Sequence, residues 1–101
     1  MRFRSRKREA VYRERRKLVA DLLTQYPICQ RCGTNPSVDV HELIRRSQWR
    51  DGILNPANCR AVCRSCHIWI GMHPRQATEE GWSVPSWQRD RFTQEWEGQP
   101  E

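Results

Sequence analysis

Two short stretches decide how this chain folds: Cys29-Gln30-Arg31-Cys32-Gly33 and Cys63-Arg64-Ser65-Cys66-His67. Each holds two cysteines separated by two residues, and 30 residues lie between the pairs. Four thiolates at about 2.3 Å fill every position of a tetrahedral zinc ion and leave none for a substrate. Cys29, Cys32, Cys63 and Cys66 are therefore read as one structural zinc site, the competing reading being unmetallated buried thiols. Gly33 permits the tight turn behind the second ligand. The fifth cysteine, Cys59, falls outside the paired spacing and reads as a small buried apolar residue.

The rest of the composition explains the need for such a site. The chain has 101 residues, of which 37% are hydrophobic and 30% charged, which suits one domain with a small core. A domain of this kind is stabilised by disulfides, a metal or oligomerisation. The N-terminal Met1-Arg2-Phe3-Arg4-Ser5-Arg6-Lys7-Arg8 is basic with no apolar run after it, so no secretory leader is expected. No stretch approaches the roughly 18 apolar residues of a membrane span. The expected location is the cytoplasm, where disulfides rarely persist. An odd cysteine count also fits a disulfide framework poorly, and two C-x-x-C pairs there point to zinc.

Between the pairs, Val38-Asp39-Val40-His41-Glu42-Leu43-Ile44 alternates in part and is rich in β-branched residues, which predicts a short strand. Residues 45–58 read as a loop, with turn signals at Asp51-Gly52 and Asn55-Pro56. Residues 58–62 read as a short second strand. The second knuckle runs into a helix through Ile68, Trp69, Ile70 and Met72, weakened by Gly71 and ended before Pro74. Upstream, Val11, Arg15, Leu18, Val19, Leu22 and Leu23 recur at helical spacing, one arginine interrupting the apolar stripe. This predicts a helix over residues 2–26, ended by Pro27. Downstream, Val84-Pro85-Ser86-Trp87 is expected to cover the domain as an extended strap, and the chain after Trp96 to fray. The expectation is an α+β domain over residues 27–75, a basic arm and helix over 1–26, and a strap with an acidic tail over 76–101.

Charge is uneven: net +7 over residues 1–17, +3 over 18–75 and −4 over 76–101. So dense a basic arm favours a polyanion, most often nucleic acid. A solvated tail is the plainer alternative. Arg6, Lys7, Arg13 and Arg16 spread around the polar faces of the first helix, and Arg45, Arg46 and Arg50 lie in the central loop. All seven are candidate phosphate contacts, which would position DNA without reading its sequence. Trp49, Trp69, Trp82, Trp87 and Trp96 are many for this length; base stacking is open to them, and packing is expected for Trp69 and Trp82.

His41, on the predicted strand, and His67, opening the predicted helix, are brought together by the cysteine pairs. Two imidazoles from facing elements, with a carboxylate nearby, suit one divalent metal with open positions, which a catalytic metal requires. His73, six residues after His67, is not at i, i+4 spacing and is not expected to share it.

The order Cys29-x2-Cys32, then Val40-His41-x-Leu43, then Asn58-x4-Cys63-x2-Cys66-His67, resembles the HNH endonuclease family, of ββα-metal fold. The resemblance spans residues 29–67. The wording around Gly52-Ile53-Leu54-Asn55-Pro56-Ala57-Asn58 and Gly81-Trp82-Ser83-Val84-Pro85-Ser86-Trp87 is most similar to small HNH proteins of actinobacterial tailed phages. It implies metal-dependent hydrolysis of DNA phosphodiesters, with Mg2+, Mn2+ or another divalent ion beside the structural zinc. By resemblance His41 and His67 are ligands of that ion, and Asn58 fixes the loop and orients the general base. The terminase of a phage packaging system, in the host cytoplasm, is a partner by resemblance alone.

One position departs from the family. Glu42 stands where the second histidine of the family pair, the usual base, is expected. A histidine is tuned near neutrality, whereas an unperturbed glutamate, with a pKa of about 4.3, is a weak base at pH 7. Three readings follow: Glu42 as base, Glu42 as an extra metal ligand, or a weak or inactive nuclease kept as a zinc-stabilised nucleic-acid- or protein-binding module. Strand alternation sets His41 and Glu42 on opposite faces unless the strand bends there.

Overall fold

The basic N-terminal segment forms a long helix, α1 (Arg6–Gln25), in the computed structural model, which describes residues 6–97, with side chains up to residue 93. The start of the basic arm, the side chain of Trp96 and residues 98–101 of the tail lie outside the described residues. Leu22 is buried, and Leu18, Val19 and Leu23 pack beside it. The amide of Tyr26 donates to the Leu22 carbonyl at 2.8 Å, and Pro27 stops the helix there.

The stripe of α1 covers one face of a two-stranded antiparallel sheet, β1 (Asp39–Glu42) and β2 (Cys59–Val62). The register pairs Asp39 with Val62, Val40 with Ala61, His41 with Arg60 and Glu42 with Cys59. Alternation therefore sends Val40, Glu42, Cys59 and Ala61 towards α1, and Val40, Cys59 and Ala61 form a buried cluster with Leu22. Asp39, His41 and Val62 face the other way, where α2 (Arg64–Met72) leaves the second knuckle. β1 is shorter than the alternating text, because the chain turns away after Glu42 to begin the central loop, and β2 begins one residue later than expected, Asn58 belonging to a 3₁₀ turn.

That loop is more ordered than its turn signals suggest. It contains two short 3₁₀ turns, Arg50–Leu54 and Pro56–Asn58, the second begun by Asn55, whose side chain accepts from the Ala57 amide. Asn58 is fully buried and holds the loop closed. Its side-chain oxygen accepts from the Ile44 amide at 2.8 Å, while its amide donates to the Ile44 and Gly52 carbonyls at 3.2 Å each. The approach is so close that a Cβ on Gly52 would lie 2.7 Å from the Asn58 side-chain nitrogen.

The C-terminal segment contains two further helices, α3 (Pro74–Glu80) and α4 (Arg89–Glu97), where a strap alone was expected. Gly81, in the left-handed region at φ 88°, ends α3, and the Trp82 amide then donates back to the Ala77 carbonyl at 2.8 Å. This turn lays Trp82 against Val62 and the cysteines. The Val84 amide donates to the Leu43 carbonyl at 2.9 Å, so the strap attaches there, while Trp87 stays 77% exposed. Phe92 of α4 is buried against Leu43 and Ile44 and stacks on Trp49.

Asn58→Ala would strand the Ile44 amide and two carbonyls in a buried place. A loss of about 2–3 kcal/mol in unfolding free energy is expected in urea denaturation of the zinc-loaded protein.

Candidate functional site

The thiols of Cys29, Cys32, Cys63 and Cys66 converge, their sulfurs all within 4.8 Å of one another and Cys32 4.0 Å from Cys63. A tetrahedron with bonds of about 2.3 Å has edges of about 3.8 Å, so these four can hold a metal ion such as zinc. Cys29, Cys63 and Cys66 are buried and Cys32 is exposed. Backbone amides point at the sulfurs: Arg31 and Cys32 donate to Cys29, and Cys66 donates to Cys63, each at 3.4 Å. The Cys63 sulfur is thus also the N-cap of α2. The Ser65 hydroxyl, followed by the Cys66 amide, brings the Cys63 thiol down to about 6. Burial first, then the neighbouring thiols, pushes Cys66 up to about 12. Amides of Asn35 and Thr34 lower Cys32.

Arg31 braces this centre. It donates to the Cys66 sulfur at 3.5 Å, pairs with Glu80 of α3 at 3.2 Å, and lies over the Trp69 ring at 3.7 Å. His73 stacks on the same tryptophan and donates from Nδ1 to its carbonyl at 3.0 Å, which ties it into that stack.

The second constellation forms on the sheet face opposite α1. His41 from β1 and His67 from α2 meet edge to face with ring centroids 5.6 Å apart. His41 Nε2 bonds to the Trp82 carbonyl; a carbonyl only accepts, so Nε2 carries the proton and Nδ1 keeps its lone pair. Burial, countered in part by that carbonyl, holds His41 below the ordinary histidine value. His67 Nδ1 lies 3.1 Å from Asp39 Oδ2. Arg64 grips the same carboxylate at 2.7 and 3.0 Å, and this bond, followed by that of His67, keeps Asp39 below the usual aspartate value. Among the described residues, the four cysteines are the set of three or more potential ligands whose donor atoms all lie within 4.8 Å of one another.

Glu42 does not join the two histidines. The ladder stays regular to the Glu42–Cys59 pair, so alternation turns its carboxylate to the α1 side. There it meets Arg15 at 3.3 Å and Arg46 at 3.5 Å. Arg15, the cation that interrupts the apolar stripe, also donates to the Ile53 carbonyl at 2.7 Å and the Cys59 sulfur at 3.5 Å. Its place in that stripe was the legible sign that it reaches inward. Asp39 was legible too, as the residue two before His41 and hence on its face. The Trp82 carbonyl left no sign in the sequence, because any residue supplies one.

The seven candidate phosphate contacts are all exposed, and they divide. Lys7, Arg46 and Arg50 line one cleft of about 590 Å³ between α1 and the central loop, joined by Arg8 and floored by Val11 and Ile53. Arg6, Arg13, Arg16 and Arg45 lie outside its lining, and so do His41 and His67.

Residues 29–69 match the family model of the HNH endonuclease. The matched segment therefore starts at the first knuckle and ends on α2, and contains His41, Asn58 and His67. No curated protein and no solved structure matches the chain. Among the described residues no helix is long and apolar enough to cross a membrane.

Metal removal separates the cysteines. Cys66→Ala is expected to lose bound zinc and the cooperative unfolding transition together, because binding free energy at such a site is folding free energy. Cys59→Ala is expected to keep one zinc per chain by atomic absorption and to lose about 1–2 kcal/mol of stability. Acid should release zinc from the native protein, since protons compete for the thiolates.

Proposed function

We propose that this chain is a metal-dependent HNH endonuclease that nicks or cleaves DNA. The observation that carries the reading is the meeting of His41 and His67 on one sheet face inside the segment matched by the family model. A divalent ion such as Mg2+ or Mn2+, when bound there, supplies polarisation of the scissile phosphate and stabilisation of the leaving oxygen. His67 through Nε2 and His41 through Nδ1 would hold it, since their other ring nitrogens are committed to Asp39 and Trp82. Two imidazoles near a carboxylate form a mixed nitrogen and oxygen donor set that suits a divalent transition-metal ion better than Mg2+. Asn58 shapes the loop that leaves the site, binding Ile44 on both its amide and its carbonyl. Burial shifts His41 towards its neutral form, the state a ligand or a base requires.

Glu42 is assigned a fastening role. Its carboxylate is committed to Arg15 and Arg46, so it joins the end of β1 to α1 and to the loop. The same observation favours a second reading, a zinc-stabilised nucleic-acid-binding module without useful catalysis, since a base is then missing where the family has one. DNA engages the basic cleft in both readings: Lys7, Arg8, Arg46 and Arg50 there present positive charge to a phosphate backbone. Genome packaging in a tailed phage, with a terminase as partner, is the setting the resemblance supports.

A supercoiled-plasmid assay separates the readings. Metal-dependent nicking is expected from the native protein with Mg2+ or Mn2+, and its loss in His67→Ala with zinc content intact. Glu42→Gln should keep nicking while costing about 1–3 kcal/mol of stability. Loss of nicking in a stably folded Glu42→Gln protein would instead make Glu42 the base. Inert native protein that still binds DNA would leave the binding module as the account.

The cleft has its own test. Lys7→Gln and Arg50→Gln should each weaken DNA binding across sequences and lower the salt slope by about 1 for each phosphate no longer neutralised.

A further inference from the structure

We propose that Asp39 is the positioning residue of the histidine site, fixing His67 in the tautomer that presents Nε2 to a divalent cation. The inference rests on the nuclease reading for its purpose, and on geometry alone for its substance. Asp39 stands two residues before His41 on the same face of β1, in register with Val62. Its Oδ2 lies 3.1 Å from His67 Nδ1. A carboxylate held ionised by Arg64 can only accept, so His67 Nδ1 carries the proton and Nε2 keeps the lone pair. A carboxylate or carbonyl behind a histidine is the arrangement that orients the ring and raises its basicity towards a metal.

The two histidines are thus fixed by different groups, His67 by a side chain and His41 by the Trp82 carbonyl. Arg64 completes the arrangement. Its guanidinium holds both carboxylate oxygens, at 2.7 and 3.0 Å. The carboxylate nearest the histidine pair is therefore Asp39, and Glu42 points to the other face.

The test uses the full, zinc-loaded chain labelled with nitrogen-15. Long-range proton–nitrogen correlation at pH 8 reads the tautomer of each ring without DNA or a second metal. The native protein should show His67 protonated on Nδ1, and Asp39→Ala should move it towards the Nε2-protonated form that histidine prefers in water. Arg64→Gln, which leaves the carboxylate in place, should keep the native tautomer. Manganese binding followed by paramagnetic relaxation should weaken about 10–100-fold in Asp39→Ala with one zinc still bound. Asp39→Glu should recover part of that loss. Nε2-protonated His67 in the native protein, or unchanged manganese affinity in Asp39→Ala, would overturn the assignment. Native protein with the expected tautomer but no cleavage would uphold the positioning role and sink the nuclease reading instead.

Discussion

Convergence of four sulfurs from two sequence-distant knuckles is the constraint on which the other parts of this molecule depend. It ties the turn at 29–33 to the start of α2. Because β1 and β2 lie between the knuckles in sequence, their antiparallel pairing is closed at the same end. Among the described residues the apolar clusters are small, one under α1, one around the cysteines and one under α4, with Trp82 packed against the last two. No single cluster resembles the core of a larger domain. A bound metal would add the cooperativity that such clusters lack, since its affinity counts only when both knuckles are in place. Arg31 reinforces the same junction from outside, reaching the Cys66 sulfur, Glu80 and Trp69 at once.

The two-stranded sheet acts as a partition. One face is apolar and covered by α1, with a single ionic feature at its end where Arg15 meets Glu42. The other face carries Asp39 and His41 against α2, beside the buried Val62. This division follows from the side-chain period of a strand, which sends neighbours to opposite sides. It also accounts for the different fates of His41 and Glu42. One approaches His67 and is held by a carbonyl, and the other is drawn into ion pairs with α1 and the loop. Asn58 stands at the edge of the partition and satisfies the backbone of Ile44 and Gly52 with its side chain.

Among the described residues, a cleft lined by cationic side chains lies beside α1. Lys7 and Arg8 from the helix approach Arg46 and Arg50 from the loop, although about 40 residues separate the two groups in sequence. Arg46 belongs to both this cleft and the Glu42 pair. The cleft is thereby linked through one arginine to the strand that carries His41.

Cysteine spacing alone determined the four-thiol set that can hold a metal, because four thiols in two pairs have few ways to satisfy one another. Local text also determined α1, whose apolar stripe and terminal proline are short-range signals, and the placement of His41 and His67 on a strand and a helix. The helices α3 and α4 were less legible. Their sequences are short and polar, and α4 is anchored by Phe92 inserting beneath Trp49 and Ile44, a contact no local pattern announces. Only the tertiary structure decided the environment of Glu42, the division of the basic residues between cleft and open surface, and the partners of the two histidine rings. Each of these depends on which side chains meet across the sheet and loop. A sequence records spacing along the chain, whereas a proton's place on His67 depends on a carboxylate that arrives from another element.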